Sequence, residues 1–422
     1  MKKVILSSSF LLILFFTEAQ IGGLLNKATQ QATSKVNNKA NSTADKSKDD
    51  PTNKKTGEVK PNSENSTPGS NVKDTTPVPE GSSSIKSYSK YDFIPGEKVI
   101  GFEDFSTGNI GDFPAGWNTS SSAEIVTIDG KQGRWLMLTK PGVFVPEFTD
   151  KYPDDFTFEF DLLHGVPITG ADFHITLAQL DDINKPQFSS LATNRVLFEL
   201  NNATTGTTTG VTRSELRKNT VSEAGNQTYT ELLNDKNNPV HISIWRQKER
   251  VRLYINEEKV WDIPKGLAKE SKLNAIVFSV GYVEAKTQHY IGNIRLAIGA
   301  PDTRNKMLTQ NKWVTHGILF DVNSANIKPE SYGTLKEIAN VLKENPDLKV
   351  KIVGHTDSDG NDAANLDLSK RRAASVKASL AKEFGIDENR METDGKGESE
   401  PIDKNDSPAG KANNRRVEFI KI

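Results

Sequence analysis

Between about Tyr91 and Ala300, apolar and polar residues alternate in short runs parted by turns. FTFEFDL sets Phe156, Phe158, Phe160 and Leu162 on one face and Thr157, Glu159 and Asp161 on the other, as a strand with one solvated face requires. DFHITL repeats the period with Phe173, Ile175 and Leu177, and VLFEL repeats it with Val196, Phe198 and Leu200. HISIW, VRLYIN, KVWDI, AIVFSV and NIRLAI continue the series, several of them joined by short polar turns. Many antiparallel strands without a helical period predict an all-β sandwich over 91–300, with a barrel as the alternative.

After a linker at 301–313 the period changes. GILFDV, Gly317 to Val322, predicts a strand. PESYGTLKEIANVLKENP predicts a helix with Pro329 in its first turn, Leu335, Ile338, Ala339 and Leu342 at helical spacing, and Asn345-Pro346 as its end. LKVKIV, Leu348 to Val353, is a second strand. A second helix follows, with Ser369 as its expected N-cap, Ala373, Val376, Leu380 and Phe384 on its apolar face and Gly385 as its stop. RRVEFIKI, Arg415 to Ile422, closes the chain as a strand. The order β-α-β-α-β predicts a C-terminal α/β sandwich over 314–422, so the chain reads as multidomain.

The first residues have another pattern. Lys2 and Lys3 precede an apolar run from Val4 to Phe16 and a small-residue site at Ala19, which predicts a signal peptide over 1–19. That run falls short of the ~20 apolar residues of a membrane-spanning helix. A polar linker is expected over 20–90, because from Asn37 to Ser84 no aromatic, Leu, Ile or Met is present to offset the entropy of ordering. Leu24, Leu25, Ala28, Ala32 and Val36 keep a weak helical spacing ahead of it.

Lys and Arg number 54 against 55 Asp and Glu in 422 residues, so the formal charge of -1 gives no whole-chain reason to expect nucleic acid as partner. There is no cysteine, which excludes disulfides, thiolate metal sites and a lipidated N-terminal Cys. Any charge-based site must be local.

One local site stands out in IVGHTDSDGNDAANLDLSKRRAASV, Ile352 to Val376. With Ser369 as N-cap, Arg372 falls in the first helical turn beside the core face, and Asp357 sits just past the second strand, facing that turn. One fixed carboxylate and one fixed guanidinium suit a zwitterion: ammonium to Asp357, carboxylate to Arg372. On pattern alone the same two residues better suit a structural salt bridge with each other. Asp357, Asp359 and Asn361 also have calcium-loop spacing, but Asp362 and Leu368 occupy the positions where an EF-hand needs Gly and Glu.

GILFDVNSANIKPES, GHTDSDGNDAANLDLSKRRAASV and GKANNRRVEF closely resemble the OmpA-like peptidoglycan-binding domain family, over about Val314 to Ile422. The spacing from Asp357 through Asn365, Leu368, Ser369, Arg372 and Ala373 follows the family pattern without a gap. The resemblance implies that Asp357 and Arg372 hold the free amino-acid end of meso-diaminopimelate in the peptidoglycan stem peptide. It adds Asn323, Thr356 and Asn365 around the ligand, and Arg415 and Arg416 from the closing Asn-Arg-Arg motif, of which a strand lets only one face the site. Lys411 stands where the family often has Arg. The implied function is non-enzymatic and needs no cofactor: the chain grips the wall in the periplasm of a Gram-negative cell envelope and links it to the outer membrane or to the sandwich.

HISIWRQKERVRLYINEEKVWDIP, His241 to Pro264, is similar to the concanavalin A-like or laminin-G sandwich. Trp245, Tyr254 and Trp261 could then stack on sugars, although core packing accounts for at least two of them. Glu159-Phe160-Asp161 resembles part of a glucanase acid pair, but His164 replaces the next glutamate, and a solvent-facing polar edge explains both carboxylates. Two alternatives remain: an adhesin whose sandwich binds glycan or an envelope protein, and an outer-membrane barrel with a wall-binding tail.

Overall fold

The computed structural model describes residues 91–422 apart from 166–172, 188–193, 204–208, 219–220, 232, 235, 237, 284–287 and 300–302. The expected signal peptide, the polar linker and the weak helix at its start lie outside the described residues. All described residues belong to the compact unit Ser82–Ile422.

Fifteen strands come first: β1 Lys98–Glu103, β2 Trp117–Thr119, β3 Ala123–Val126, β4 Trp135–Leu138, β5 Gly142–Pro146, β6 Asp155–His164, β7 Phe173–Ala178, β8 Arg195–Asn201, β9 Gly210–Lys218, β10 Val221–Thr230, β11 Val240–Gln247, β12 Arg250–Ile255, β13 Glu258–Ile263, β14 Ala275–Val280 and β15 His289–Ile298. One sheet runs β13-β12-β11-β6-β15-β4-β3, with β1 also on β15, and the other runs β10-β9-β8-β7-β14-β5-β2. All these pairings are antiparallel. The strands thus form two separate sheets, not one closed barrel.

The alternation in the sequence explains why the sheets meet. Phe158 and Phe160 of β6 face Phe278 of β14 and Phe173 of β7, with Phe160 and Phe278 edge to face at 5.0 Å. Each such ring, taken fully out of water, contributes ~1.5 to 3 kcal/mol. The opposite face of β6 departs from expectation. Thr157 and Glu159 are each 1% exposed, so this face is covered and not solvated.

Two things cover it. Residues 91–97 lie across the sheet: Phe93 packs on Trp245 and Tyr254, Tyr254 donates to Asp92 at 2.8 Å, and the Gly96 N–H donates to Thr157 at 2.9 Å. Trp245 and Tyr254 are therefore buried, and the expected sugar-stacking surface does not form from them. Trp261 is half-buried and donates to Thr212 at 3.0 Å. The C-terminal part of the chain supplies the rest of the cover.

That part contains α1 Thr303–Thr309, β16 Lys312–Thr315, a 3-10 turn Pro329–Ser331, α2 Tyr332–Glu344, β17 Val350–His355, α3 Asp362–Phe384, β18 Met391–Gly397, α4 Pro408–Asn414 and β19 Val417–Lys421. Its sheet runs β16-β19-β17-β18, parallel between β17 and β18 and antiparallel elsewhere. Ile338 and Leu342 of α2, and Ala373, Val376 and Leu380 of α3, pack with Ile352, Trp313 and Phe419 of the sheet. Helices on a mixed four-stranded sheet give the expected α/β layers with more elements than expected.

Several boundaries move. The stretch 301–313 carries α1 and the start of β16, so it is not a bare linker. GILFDV is not a strand. Its backbone folds into a loop in which Lys328 donates to the Leu319 carbonyl at 2.9 Å and Asp321 to that of Asn326 at 3.1 Å, and a single bridge joins Phe320 to Ile327. METDGKG forms β18, which the pattern hid because Gly395 and Gly397 occupy inward positions. A Cβ on Gly395 would lie 2.4 Å from the Lys370 nitrogen of α3, so the helix can rest on the sheet only where side chains are absent.

The helix start also moves. Asn361, not Ser369, caps α3, accepting from the N–H groups of Ala363 and Ala364 at 3.0 and 3.3 Å. Gly385 ends the helix with φ 71, as expected. Lys370, Arg371 and Arg372 are therefore mid-helix residues, where the macrodipole imposes no penalty.

The two parts meet through specific bonds. Asn413 on α4 donates to the Val99 carbonyl and accepts the Val99 N–H, both at 2.9 Å, so its amide copies a neighbouring strand for β1. Arg295 of β15 donates to the His316 carbonyl at 3.3 Å, and a His316 ring nitrogen lies 2.9 Å from the Asn413 carbonyl. Phe93 fills the space left by a glycine on α2: a Cβ on Gly333 would lie 2.1 Å from the Phe93 carbonyl oxygen.

Candidate functional site

Strand β17 ends at His355, and Thr356 and Asp357 begin the loop to α3. Asp357 is 7% exposed. Three α3 residues face this loop at helical spacing: Asn365, Leu368 and Arg372. Asn365 gathers the loop, its amide donating to the Asp359 carbonyl at 3.0 Å, to Glu398 at 2.6 Å and, more weakly, to the Asp357 carbonyl at 3.4 Å. The Thr356 hydroxyl is buried without a hydrogen-bond partner.

Asp357 and Arg372 are not each other's partners. Asp357 accepts from Arg415 through Oδ2, and from the Asp359 N–H through Oδ1 at 3.2 Å. Arg372 donates from Nε to the Ser324 carbonyl at 3.0 Å and lies over the Phe320 ring at 4.9 Å. Among the described residues no carboxylate lies within 4.0 Å of it. Burial, and then the like charge of Arg415, lower its pKa to about 10, with Asp357 only partly opposing them. The group stays cationic at neutral pH but lacks the negative charge that would settle it.

The closing motif divides, although Arg415 and Arg416 both precede β19, which starts at Val417 and not at Arg415 as expected. Arg415 faces Asp357 and lies over Phe102 at 5.0 Å. Arg416 turns inward, 3% exposed, and donates from Nε to Glu418 at 2.8 Å and from Nη2 to the Glu400 carbonyl at 2.9 Å. It lines a small adjoining cavity of ≈ 120 Å³ and not the main cleft. Glu418 is held down to about 2: burial works against its charge, but His355, Lys312 and Arg416 outweigh it. Lys411 pairs with Asp359 at 2.6 Å, which occupies one of the oxygens considered for calcium. Lys370 is exposed, and Arg371 pairs with Asp367 at 2.7 Å, one turn away.

Asn323, Thr356, Asp357, Asn365, Arg372 and Arg415 line one cleft of ≈ 410 Å³. Its far side is built by the two-sheet body, which the sequence reading did not anticipate. Phe102, Asp104, Glu159, Asp161, His241, Asn293 and Arg295 all reach it. A bulge in β15 between Gly292 and Arg295, with Asn293 at φ 50, aims Asn293 and Arg295 this way. Arg295 pairs with Glu159 at 2.7 Å, His241 with Asp161 at 2.7 Å, and Asn293 donates to Asp161 at 2.6 Å. Burial disfavours the His241 imidazolium, but its bonds to Asp161 and Glu159 prevail and push it up to about 10. Glu159 and Asp161 are thus consumed in ion pairs, unlike a glycosidase acid and nucleophile. The only trace of this wall in the sequence is a set of charged residues on strands otherwise made for a core.

The model of the OmpA family matches residues 319–415. The chain is 44% identical over 104 residues to the probable lipoprotein YiaD of Escherichia coli, covering 25% of this chain and 47% of that protein. It is 41% identical over 101 residues to the outer membrane porin F of Pseudomonas aeruginosa, covering 24% and 29% respectively. The chain therefore spans less than half the length of these relatives. A solved peptidoglycan-associated lipoprotein from Burkholderia pseudomallei aligns at 26% identity and TM-score 0.25, over 29% of this chain and 98% of that one. The cleft's lower wall, from the Phe320 loop to Arg415, accordingly lies within an OmpA family domain, which this chain carries at residues 319–415.

Proposed function

We propose that the chain binds peptidoglycan non-covalently, by the free amino-acid end of meso-diaminopimelate in the stem peptide. The observation that carries this reading is Arg372: a half-buried guanidinium in a cleft, with both terminal nitrogens lacking a carboxylate and the unpartnered Thr356 hydroxyl on the same cleft. Such a group suits a ligand carboxylate held by a fork of N–H donors. Asp357, Arg415, Asn365 and Asn323 complete the ligand's surroundings, while Arg416 supports the sheet beneath them.

The role is one of binding and not catalysis, in the periplasm of a Gram-negative cell after secretion across the inner membrane. Names of relatives that include outer-membrane lipoproteins and porins support that setting. In this reading 91–300 is a lectin-like sandwich of the concanavalin A or laminin-G kind, and 314–422 is the wall-binding module. Purified sacculi test the proposal. The wild type should sediment with them and Arg372→Ala should stay in the supernatant; equal pelleting of both would refute the assignment.

A further inference from the structure

The two walls of the cleft carry their charges unequally. On the OmpA side Arg415 neutralises Asp357 and Lys411 neutralises Asp359, while Arg372 has no ion pair among the described residues. On the other side Arg295 and the protonated His241 neutralise Glu159 and Asp161. Lys328 and Glu330, on the OmpA side of the cleft, form no ion pair with each other, and the Glu330 Oε2 is buried without a hydrogen-bond partner among the described residues. What remains on the two-sheet wall is Asp104, half-buried just past β1, which accepts from the Ser106 N–H at 3.0 Å. Among the described residues no cation lies within 4.0 Å of it.

We infer that Asp104 is a specificity-determining residue, supplied by the two-sheet body, which receives the cationic pole of a zwitterionic ligand whose carboxylate is held by Arg372. This rests on the proposed function and deepens it. Asp357 has both oxygens engaged, one by a guanidinium, so its charge is already offset; an ammonium entering the cleft needs a second carboxylate. The ligand class is a peptide end bearing both an amine and a carboxylate. The site is composite: the OmpA family domain alone offers the anion-binding half, and the sandwich adds the other.

The test is titration calorimetry of the full chain with the tripeptide L-Ala-γ-D-Glu-meso-diaminopimelate, and with the same peptide acetylated on the amine of its diaminopimelate end. Asp104→Asn keeps the acceptor for Ser106 and removes only the charge. It should weaken the tripeptide about fivefold at low salt, as a partly exposed charge pair allows, and should lessen the loss that acetylation causes in the wild type. Glu223→Gln, which removes an equal charge from an exposed residue that does not line the cleft, should leave both the affinity and the acetylation penalty intact. If Arg372→Ala abolishes binding while Asp104→Asn keeps both wild-type affinity and the full acetylation penalty, the composite site is overturned and the proposed function stands. If the wild type does not bind the tripeptide at all, both fall.

Discussion

Arg415, and not Arg372, is the guanidinium bonded to Asp357, while Arg372 spends its Nε on the carbonyl of Ser324. The two arginines therefore have separable roles. Arg372→Ala should abolish sedimentation with sacculi and leave unfolding by urea nearly unchanged. Arg415→Ala should cost about 1 kcal/mol of stability, since Asp357 is left 7% exposed without its cation. Equal destabilisation by both substitutions would show that Arg372 is structural.

Asn365 shapes the loop and touches three acceptors through one amide. Asn365→Ala should lower stability by ~1 to 2 kcal/mol. Hydrogen exchange should quicken at Asp357 to Gly360 and not on β18, which is held by its own ladder. Unchanged exchange in the loop would count against this role.

The Glu159–Arg295 pair is buried on both sides, at 2% and 8% side-chain exposure. Glu159→Gln should destabilise the protein by ~3 kcal/mol, because a buried guanidinium is left uncompensated. Glu223→Gln, an exposed partner of Lys218, is the control and should lie within ~0.5 kcal/mol of wild type. A solvated Glu159 edge, as the strand pattern alone suggested, would give the same small value at both positions.

Stability should peak near pH 6.5, with the two arms having different origins. His241 is raised to about 10, so its contribution is whole below the unfolded value of ~6.5 and is lost as pH climbs toward about 10. His289 and His316 are lowered by burial to about 3 and about 4, so their contributions are whole above ~6.5 and are lost as pH falls. Melting temperatures from pH 4 to 10 should show both arms, and His241→Gln should flatten the alkaline one. A His241→Gln curve parallel to wild type above pH 7 would remove His241 as its source.

Gly333 lets Phe93 approach α2. Gly333→Ala sets a methyl 2.1 Å from the Phe93 carbonyl, so the 91–97 segment must shift, at ~1 to 3 kcal/mol. Limited proteolysis should then cut near Tyr91 to Pro95, where the wild type resists.

The strands of the sandwich were legible where side chains alternate, as in FTFEFDL, because a sheet core imposes period two on its inner face. METDGKG was not legible, since its inner positions are glycines chosen for helix contact. The helix α3 was legible from Ala373 onward, while its start was hidden: the buried positions of its first turns are the polar Asn365 and Ser369, and Leu366 is 40% exposed, so no apolar stripe marks them. Asp357, Asn365 and Arg372 could be found from motif spacing, which is local. Asp104, Asn293 and Arg295 could not, because what gives them a role is a surface supplied by a different part of the chain, and no periodicity records which face of a sheet will be covered.

Asn413 also shields a sheet edge. Its amide occupies both hydrogen-bonding groups of Val99 on β1, whose other side is already paired with β15. Excised as 91–300, the sandwich would bare that edge together with the buried Val99 side chain, and an uncovered edge invites another copy to pair with it. Such a fragment is expected to self-associate as its concentration rises in analytical ultracentrifugation, and a monodisperse monomer would argue against it. The OmpA family domain is thus also the two-sheet body's own guard against aggregation.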